Sequence, residues 1–256
     1  MNSSLRADGI THRIGSSSLI EDATLAAGAG EIVALVGPNG AGKTTMLRIL
    51  AGDLRPSAGR ASISDVDVSR ATVHQLAELR AFLGPQGVAP NPFTVREVVA
   101  MGRHPHRRTT AQDESAIIEM AMRSTDVAHL AARSMASLST GELQRVGLAR
   151  VLAQQTPVLL LDEPTSALDI GHQETVMGVL RSAADEGATI VAALHDLNLA
   201  AAHANRIVLL DRGRTVASGA PGDVLTASGL SAVYGQPMTV IPHPHRDCLL
   251  VLTLDR

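Results

Sequence analysis

Hydrophobic and polar positions change period several times along the chain, and each change predicts an element. The run 31–36 is apolar over the length of a buried strand, whereas 45–51 places apolar residues at helical spacing and stops at Gly52. Apolar runs at 158–161, 188–194 and 206–210 read as further buried strands, separated by helical patterns at 170–184 and 196–204. Strands alternating with helices imply an α/β fold with a largely parallel sheet and helices on both faces. The first stretch differs: 5–26 reads as two strands joined at the turn-rich 15–18, 60–68 alternates like an exposed strand pair, and 214–218 reads as an edge strand. After a short helix at 74–80, the pattern from about 87 to 156 turns helical. There Thr94 and Glu97 have the spacing of a capping box, with Phe93 placed to staple onto Val98. A basic, proline-interrupted linker at 103–108 follows. Next come an amphipathic helix at 113–124, with Ile117, Met120 and Ala121 on one face, and a helix at 140–154. Short helices at 221–225 and 230–234 precede an apolar tail at 248–254. Residues 1–86 and 157–256 therefore form one core with an antiparallel β portion, and 87–156 is a helical insertion.

Composition narrows the function classes. The 256 residues are 45% hydrophobic, enough for a full core. Aromatics are 1% and net charge is −3, which argues against stacking platforms and broad attraction for nucleic acid. The single Cys248 excludes an internal disulfide and a cysteine zinc cluster, and fits a reducing compartment. The first residues lack the apolar core of a signal peptide, and no apolar run reaches about 18 residues, so membrane association is expected through a partner.

Between the strand at 31–36 and the helix at 45–51 lies Gly37-Pro38-Asn39-Gly40-Ala41-Gly42-Lys43-Thr44-Thr45, a phosphate-binding loop of the form G-x-x-x-x-G-K-[ST]. A polyphosphate needs donors converging on a small volume. The glycines let successive N–H groups turn inward, and the helix N-terminus adds its dipole. Lys43 supplies a compact charge for the β- and γ-phosphates, and Thr44 a hydroxyl for Mg²⁺. Lys43 is also the only lysine; every other basic side chain is Arg or His.

Asp162 and Glu163 follow the strand at 158–161 directly. Ligands gather at the carboxyl ends of strands in an open parallel sheet, which places Asp162 near the phosphates as a Mg²⁺ ligand, direct or through water. Glu163 can then activate a water for in-line attack on the γ-phosphate. Ser139 and Glu142 have capping-box spacing, and on spacing alone they mark a helix start and nothing more.

The order of these motifs resembles an ABC-transporter nucleotide-binding subunit over nearly the whole chain. Gly37–Thr45 stands at the Walker A loop, Gln86 at the Q-loop and Leu138–Glu142 at the signature. Leu159–Glu163 stands at Walker B, Ser166–Asp169 at the D-loop and His195 at the switch histidine. The resemblance implies a RecA-like core, ATP and Mg²⁺ as ligands, and a head-to-tail homodimer holding two ATPs at its interface. Ser139 and Gly141 would then face the partner's γ-phosphate, and Asp169 would lie beside that site. Gln86 would sense Mg²⁺ or the attacking water, and His195 would position the γ-phosphate. A lone His ending a strand is otherwise more often structural. Two departures stand out. The signature carries Thr140 and Glu142 where the family has Gly and Gln; a position requiring positive φ would strain Thr140. Ile14 stands where the family stacks an aromatic on adenine, which implies weaker or less base-selective nucleotide binding.

The segment 98–106, with its Gly102-Arg103-His104-Pro105-His106, is similar to importers of iron-siderophores, cobalamin and haem. The stretches 149–154, 165–173, 233–234 and 240–244 most resemble haemin importers. This implies a peripheral subunit on the cytoplasmic face of the membrane, powering haemin uptake through a permease dimer fed by a substrate-binding protein. Siderophore or cobalamin import is the alternative substrate reading. Permease elements are expected to dock near 86–108. His104, His106, His243 and His245 read as surface or docking residues rather than haem ligands. A soluble ABC ATPase serving repair or translation fits less well, since the chain shows one cassette, no coiled-coil heptads and no basic face.

Overall fold

The computed structural model describes residues 3–85, 92–106 and 110–255. Its centre is a six-stranded sheet in the order β10-β9-β3-β8-β7-β6, formed by β3 (Ile32–Val36), β6 (Arg80–Leu83), β7 (Val158–Asp162), β8 (Thr189–Ala193), β9 (Arg206–Asp211) and β10 (Arg214–Gly219). The five strands from β9 to β6 run parallel, and β10 closes one edge antiparallel to β9. The apolar runs are continuous because both faces are covered. Val33, Leu35, Val158, Leu160, Val191 and Ala193 point into one core cluster, and Ile32, Ala34, Val36, Leu159, Leu161, Ile190 and Ala192 into the other.

The first face is covered by α1 (Lys43–Ala51) and a four-stranded antiparallel sheet, β2-β1-β4-β5. Its strands are β1 (Ser3–Ile14), β2 (Ser17–Gly28), β4 (Ala58–Ile63) and β5 (Val66–Asp67); α2 (Val73–Leu79) then leads directly into β6. The second face is covered by α6 (Ile170–Asp185), α7 (Leu197–His203), α8 (Pro221–Val224) and α9 (Ala227–Tyr234). The apolar tail is not a lone segment: β12 (Leu249–Thr253) pairs with β11 (Met238–Pro242), and Asn198 of α7 clamps Val251 through its N–H (2.8 Å) and carbonyl (3.3 Å).

The helices α3 (Val95–Met101), α4 (Ala111–Ser124) and α5 (Thr140–Ala153) bury a third core of their own, containing Val95, Val98, Val99, Ile118, Met122 and Val146. Leu152 packs against this core and against the sheet core. The Thr94–Glu97 capping box forms as the spacing predicts.

Two expectations need correction. Helix α4 is amphipathic, but its buried stripe is Ile118, Ala121 and Met122, whereas Met120 is 61% exposed. The seam with α3 and α5 selects the i, i+3, i+4 set one residue later than the apolar count suggested. The basic linker is also not wholly a surface feature. Arg103 is 6% exposed and donates to both carboxylate oxygens of Glu114 (3.0 and 3.1 Å) and to the Ala153 carbonyl (2.7 Å). His106 Nε2 donates to the Gln154 carbonyl at 2.6 Å, while His104 is exposed. The first two residues of the basic run thus include an anchor, placed where a planar guanidinium matches a carboxylate and a helix C-terminus.

Candidate functional site

The loop between β3 and α1 is shaped by its glycines. Gly42 has φ +102°, and a Cβ there would lie 2.5 Å from Ile20 Cδ1. At Gly37, φ is +147°, and a Cβ would meet the Leu210 carbonyl oxygen at 2.1 Å. Only glycine fits backbone that is both left-handed and this close to its neighbours. Lys43, 6% exposed, folds back to donate to the carbonyls of Gly37 (2.7 Å) and Pro38 (3.1 Å). Burial pulls its ammonium below the ordinary lysine value, and the nearby Glu163 and Asp162 carboxylates oppose that shift.

A cavity of about 220 Å³ opens over this loop, lined by Asn39 to Thr45, by Glu163 and His195, and by Leu19 of β2. Glu163 Oε1 and His195 Nε2 face each other across 2.5 Å. β7 and β8 are adjacent parallel strands, so residues at their carboxyl ends come out side by side.

Asp162 is 1% exposed, and neither of its carboxylate oxygens has a hydrogen-bond partner among the described residues. Burial holds its carboxyl above the usual carboxylate range; the Thr44 hydroxyl beside it opposes that shift. An orphaned buried carboxylate next to a hydroxyl, at the foot of a phosphate loop, has the hard oxygen donors a Mg²⁺ ion takes. The residues present therefore fit the cation that the sequence implies.

Ser139, Gly141 and Asp169 do not line this cavity. They form a second group. Ser139 caps α5 in a complete box with Glu142, whose carboxylate accepts from the Ser139 N–H (2.7 Å) and Oγ (2.8 Å). Those two donors hold the Glu142 carboxyl low, the backbone one most strongly. Gly141 packs against the Ala167 carbonyl and Leu168. Asp169 caps α6, accepting from the His172 N–H (2.8 Å), which with the His172 ring holds its carboxyl low. Thr140 is the first residue of α5 and is absent from the positive-φ positions, so its side chain carries no backbone strain there. Gln86 and the proposed docking positions 87–91 and 107–108 lie outside the described residues.

Three residues at the site were not singled out for it by the sequence. Leu19 lines the cavity, whereas Ile14, at the end of β1, is 61% exposed. The strand pairing that brings Leu19 over the loop is a tertiary fact with no local sequence signal. The phenol of Tyr234, pushed up to about 12 by burial, lies beside the Gly37 backbone, which opposes the shift. Gln144, 5% exposed, donates to the Glu163 carbonyl at 2.9 Å. Its role comes from a hydrogen bond between elements, which no local sequence pattern shows.

The family model described as ABC transporter matches residues 20–166. The chain is 49% identical to the Hemin import ATP-binding protein HmuV of Rhodococcus jostii (strain RHA1), over 97% of this chain and 85% of that protein. It is 48% identical to the protein of that name from Nocardia farcinica (strain IFM 10152), over 97% and 88%. Among solved structures it is similar to a chain of an ABC transporter assigned to the metal-chelate type, in an inward-facing conformation. There the TM-score is 0.84 at 27% identity, over 100% of this chain and 99% of that one. It is also similar to the ATP-binding cassette MJ0796 in a dimeric post-hydrolysis state bound to ADP and Pi, with a TM-score of 0.77 at 26% identity, over 85% and 98%.

Proposed function

The chain belongs to the ABC transporter family, and on that premise we propose that it is the ATP-hydrolysing subunit of a haemin importer. The observation that carries the catalytic part is the Glu163–His195 contact of 2.5 Å at the mouth of a phosphate loop that holds a buried lysine. Glu163 takes a proton from the attacking water; His195 holds that carboxylate and orients the water and γ-phosphate. Lys43 exchanges its two loop carbonyls for phosphate oxygens when nucleotide enters. Thr44 and Asp162 would hold Mg²⁺, with Gln86 of the Q-loop as the further candidate; when bound it would supply positive charge against that building on the phosphates.

The second copy supplies Ser139 and Gly141. The Glu142 N–H is capped by Ser139 Oγ, and the Thr140 and Gly141 N–H groups of the first turn are the donors offered to a γ-phosphate lying in the partner's loop, with Asp169 next to it. ATP closes the pair and hydrolysis reopens it, moving the helical cores and a permease dimer docked on them at the cytoplasmic face. No helix among the described residues is long and apolar enough to cross a membrane, in keeping with a peripheral subunit. The haemin assignment rests on the two relatives named above, both hemin import proteins by name.

The test is ATPase activity of the chain reconstituted with its permease, with haemin, a ferric siderophore or cobalamin presented on the binding protein. Haemin is expected to stimulate turnover and the other two not; stimulation by either of the others alone would reassign the substrate and leave the ATPase reading intact.

A further inference from the structure

We infer that Gln144 is a positioning residue through which helix α5 sets the orientation of Glu163. The inference rests on the reading of Glu163 as the group that accepts the water's proton. Glu163 has φ +54°, a left-handed conformation that a residue with a Cβ adopts only when its surroundings hold it there. Its peptide is held at both ends. The N–H donates to the Ala193 carbonyl at 3.1 Å, and the carbonyl accepts from Ser166 N (3.1 Å), Ser166 Oγ (2.9 Å) and Gln144 Nε2 (2.9 Å). Ser166 belongs to the same loop and moves with it. Gln144 does not: it reaches in from the second turn of the helix that begins at Ser139.

Helix α5 touches this loop a second time, one turn earlier. A Cβ on Gly141 would lie 3.2 Å from the Ala167 carbonyl oxygen and 3.3 Å from Leu168 Cδ2, and Ala167 also has positive φ (+61°). The helix therefore bears on both ends of the 163–168 loop. Among the described residues, the only side-chain hydrogen bond between α5 and that loop is the one from Gln144. Gln144 is buried, so this bond is shielded from water and not readily exchanged for one. A displacement of the helical core shifts the Glu163 carbonyl, and with it the carboxylate that meets His195.

The experiment is steady-state ATPase of the full chain carrying Gln144→Met or Gln144→Glu, alongside binding of a fluorescent ATP analogue and thermal melting. Both variants keep roughly the side-chain length and lose the donor. The expected result is a fall in kcat by about 10- to 100-fold, the scale of a small misplacement of a reacting group, with KM and analogue affinity changed less than about twofold. In a Glu163→Gln background the same substitutions should cause no further loss. Full kcat in either folded variant, or a loss that multiplies with Glu163→Gln, overturns the assignment. Should Gln144→Met fail to fold, Gln144→Glu carries the same readout. Full turnover by Glu163→Gln alone would instead remove the base reading, and this inference with it.

Discussion

The phosphate loop and the N-terminus of α5 both present the amides of a helix start, yet their polar groups stand in opposite conditions. At the loop, a buried ammonium rests on backbone carbonyls, and a buried carboxylate with the Thr44 hydroxyl beside it has no geometric hydrogen bond among the described residues. Burial pulls the Lys43 ammonium down and pushes the Asp162 carboxyl up, so the charged form of each is disfavoured there. At α5, Ser139 and Glu142 satisfy each other in a closed cap, with the Glu142 carboxylate lying on the serine that would meet phosphate. On the proposed reading, nucleotide would bind first at the loop and engage the second helix only when a partner subunit brings it up.

The sharpest way to break the contrast is to disarm the loop side. Glu163→Gln should lower turnover by about 100- to 10,000-fold, the range for removing a general base, and leave an ATP-bound pair that persists on a sizing column. Full turnover in that variant would place the base elsewhere.

Asp162→Asn probes the orphaned carboxylate. Its carboxyl is held above the ordinary value, so folding favours the protonated form, and stability is withheld once the pH rises above the normal carboxylate range. Asp162→Asn should therefore raise the melting temperature of the nucleotide-free chain at pH 7 by about 2–4 °C, the shift that ~1 kcal/mol gives at this size. The gap from the unsubstituted chain should close as pH falls through the raised value. The same variant should lose Mg²⁺-dependent turnover. A lower melting temperature would mean that the carboxylate has partners the geometry does not reveal.

On the α5 side, Glu142→Gln keeps the capping acceptor but removes the charge beside Ser139. It should tighten the ATP-dependent pair by about fivefold at low salt, with the gain shrinking as salt screens it. No change in pairing at any ionic strength would separate Glu142 from the nucleotide. Least of all, Ile14→Tyr should raise nucleotide affinity by about two- to threefold through stacking. An unchanged affinity would show that base contact falls to Leu19, which lines the cavity, rather than to Ile14.

The same contrast explains what was legible in the sequence. The loop announces itself because glycines, lysine and hydroxyl must fall at fixed spacing within nine residues. Asp162 and Glu163 follow from a simple rule, since parallel strands deliver their carboxyl ends to one edge, whereas His195 came only with the family resemblance. The α4 stripe was misplaced by one position because an apolar count ignores which neighbours the helix meets. Leu19 and Gln144 were invisible as site residues: one arrives by strand pairing, the other by a hydrogen bond between elements 19 residues apart. Arg103 looked like part of a charged linker because composition does not show that a carboxylate and a helix end await it.

Mixing two disabled chains tests the composite site most directly. Lys43→Ala disables the loop and Ser139→Arg the facing helix, and each alone should be inactive. In a head-to-tail heterodimer one site carries both defects and the other carries none, so an equimolar mixture should recover about a quarter of the unsubstituted ATPase rate. A mixture as inactive as its parents, or full activity from Ser139→Arg alone, would contradict the claim that one copy completes the other's site.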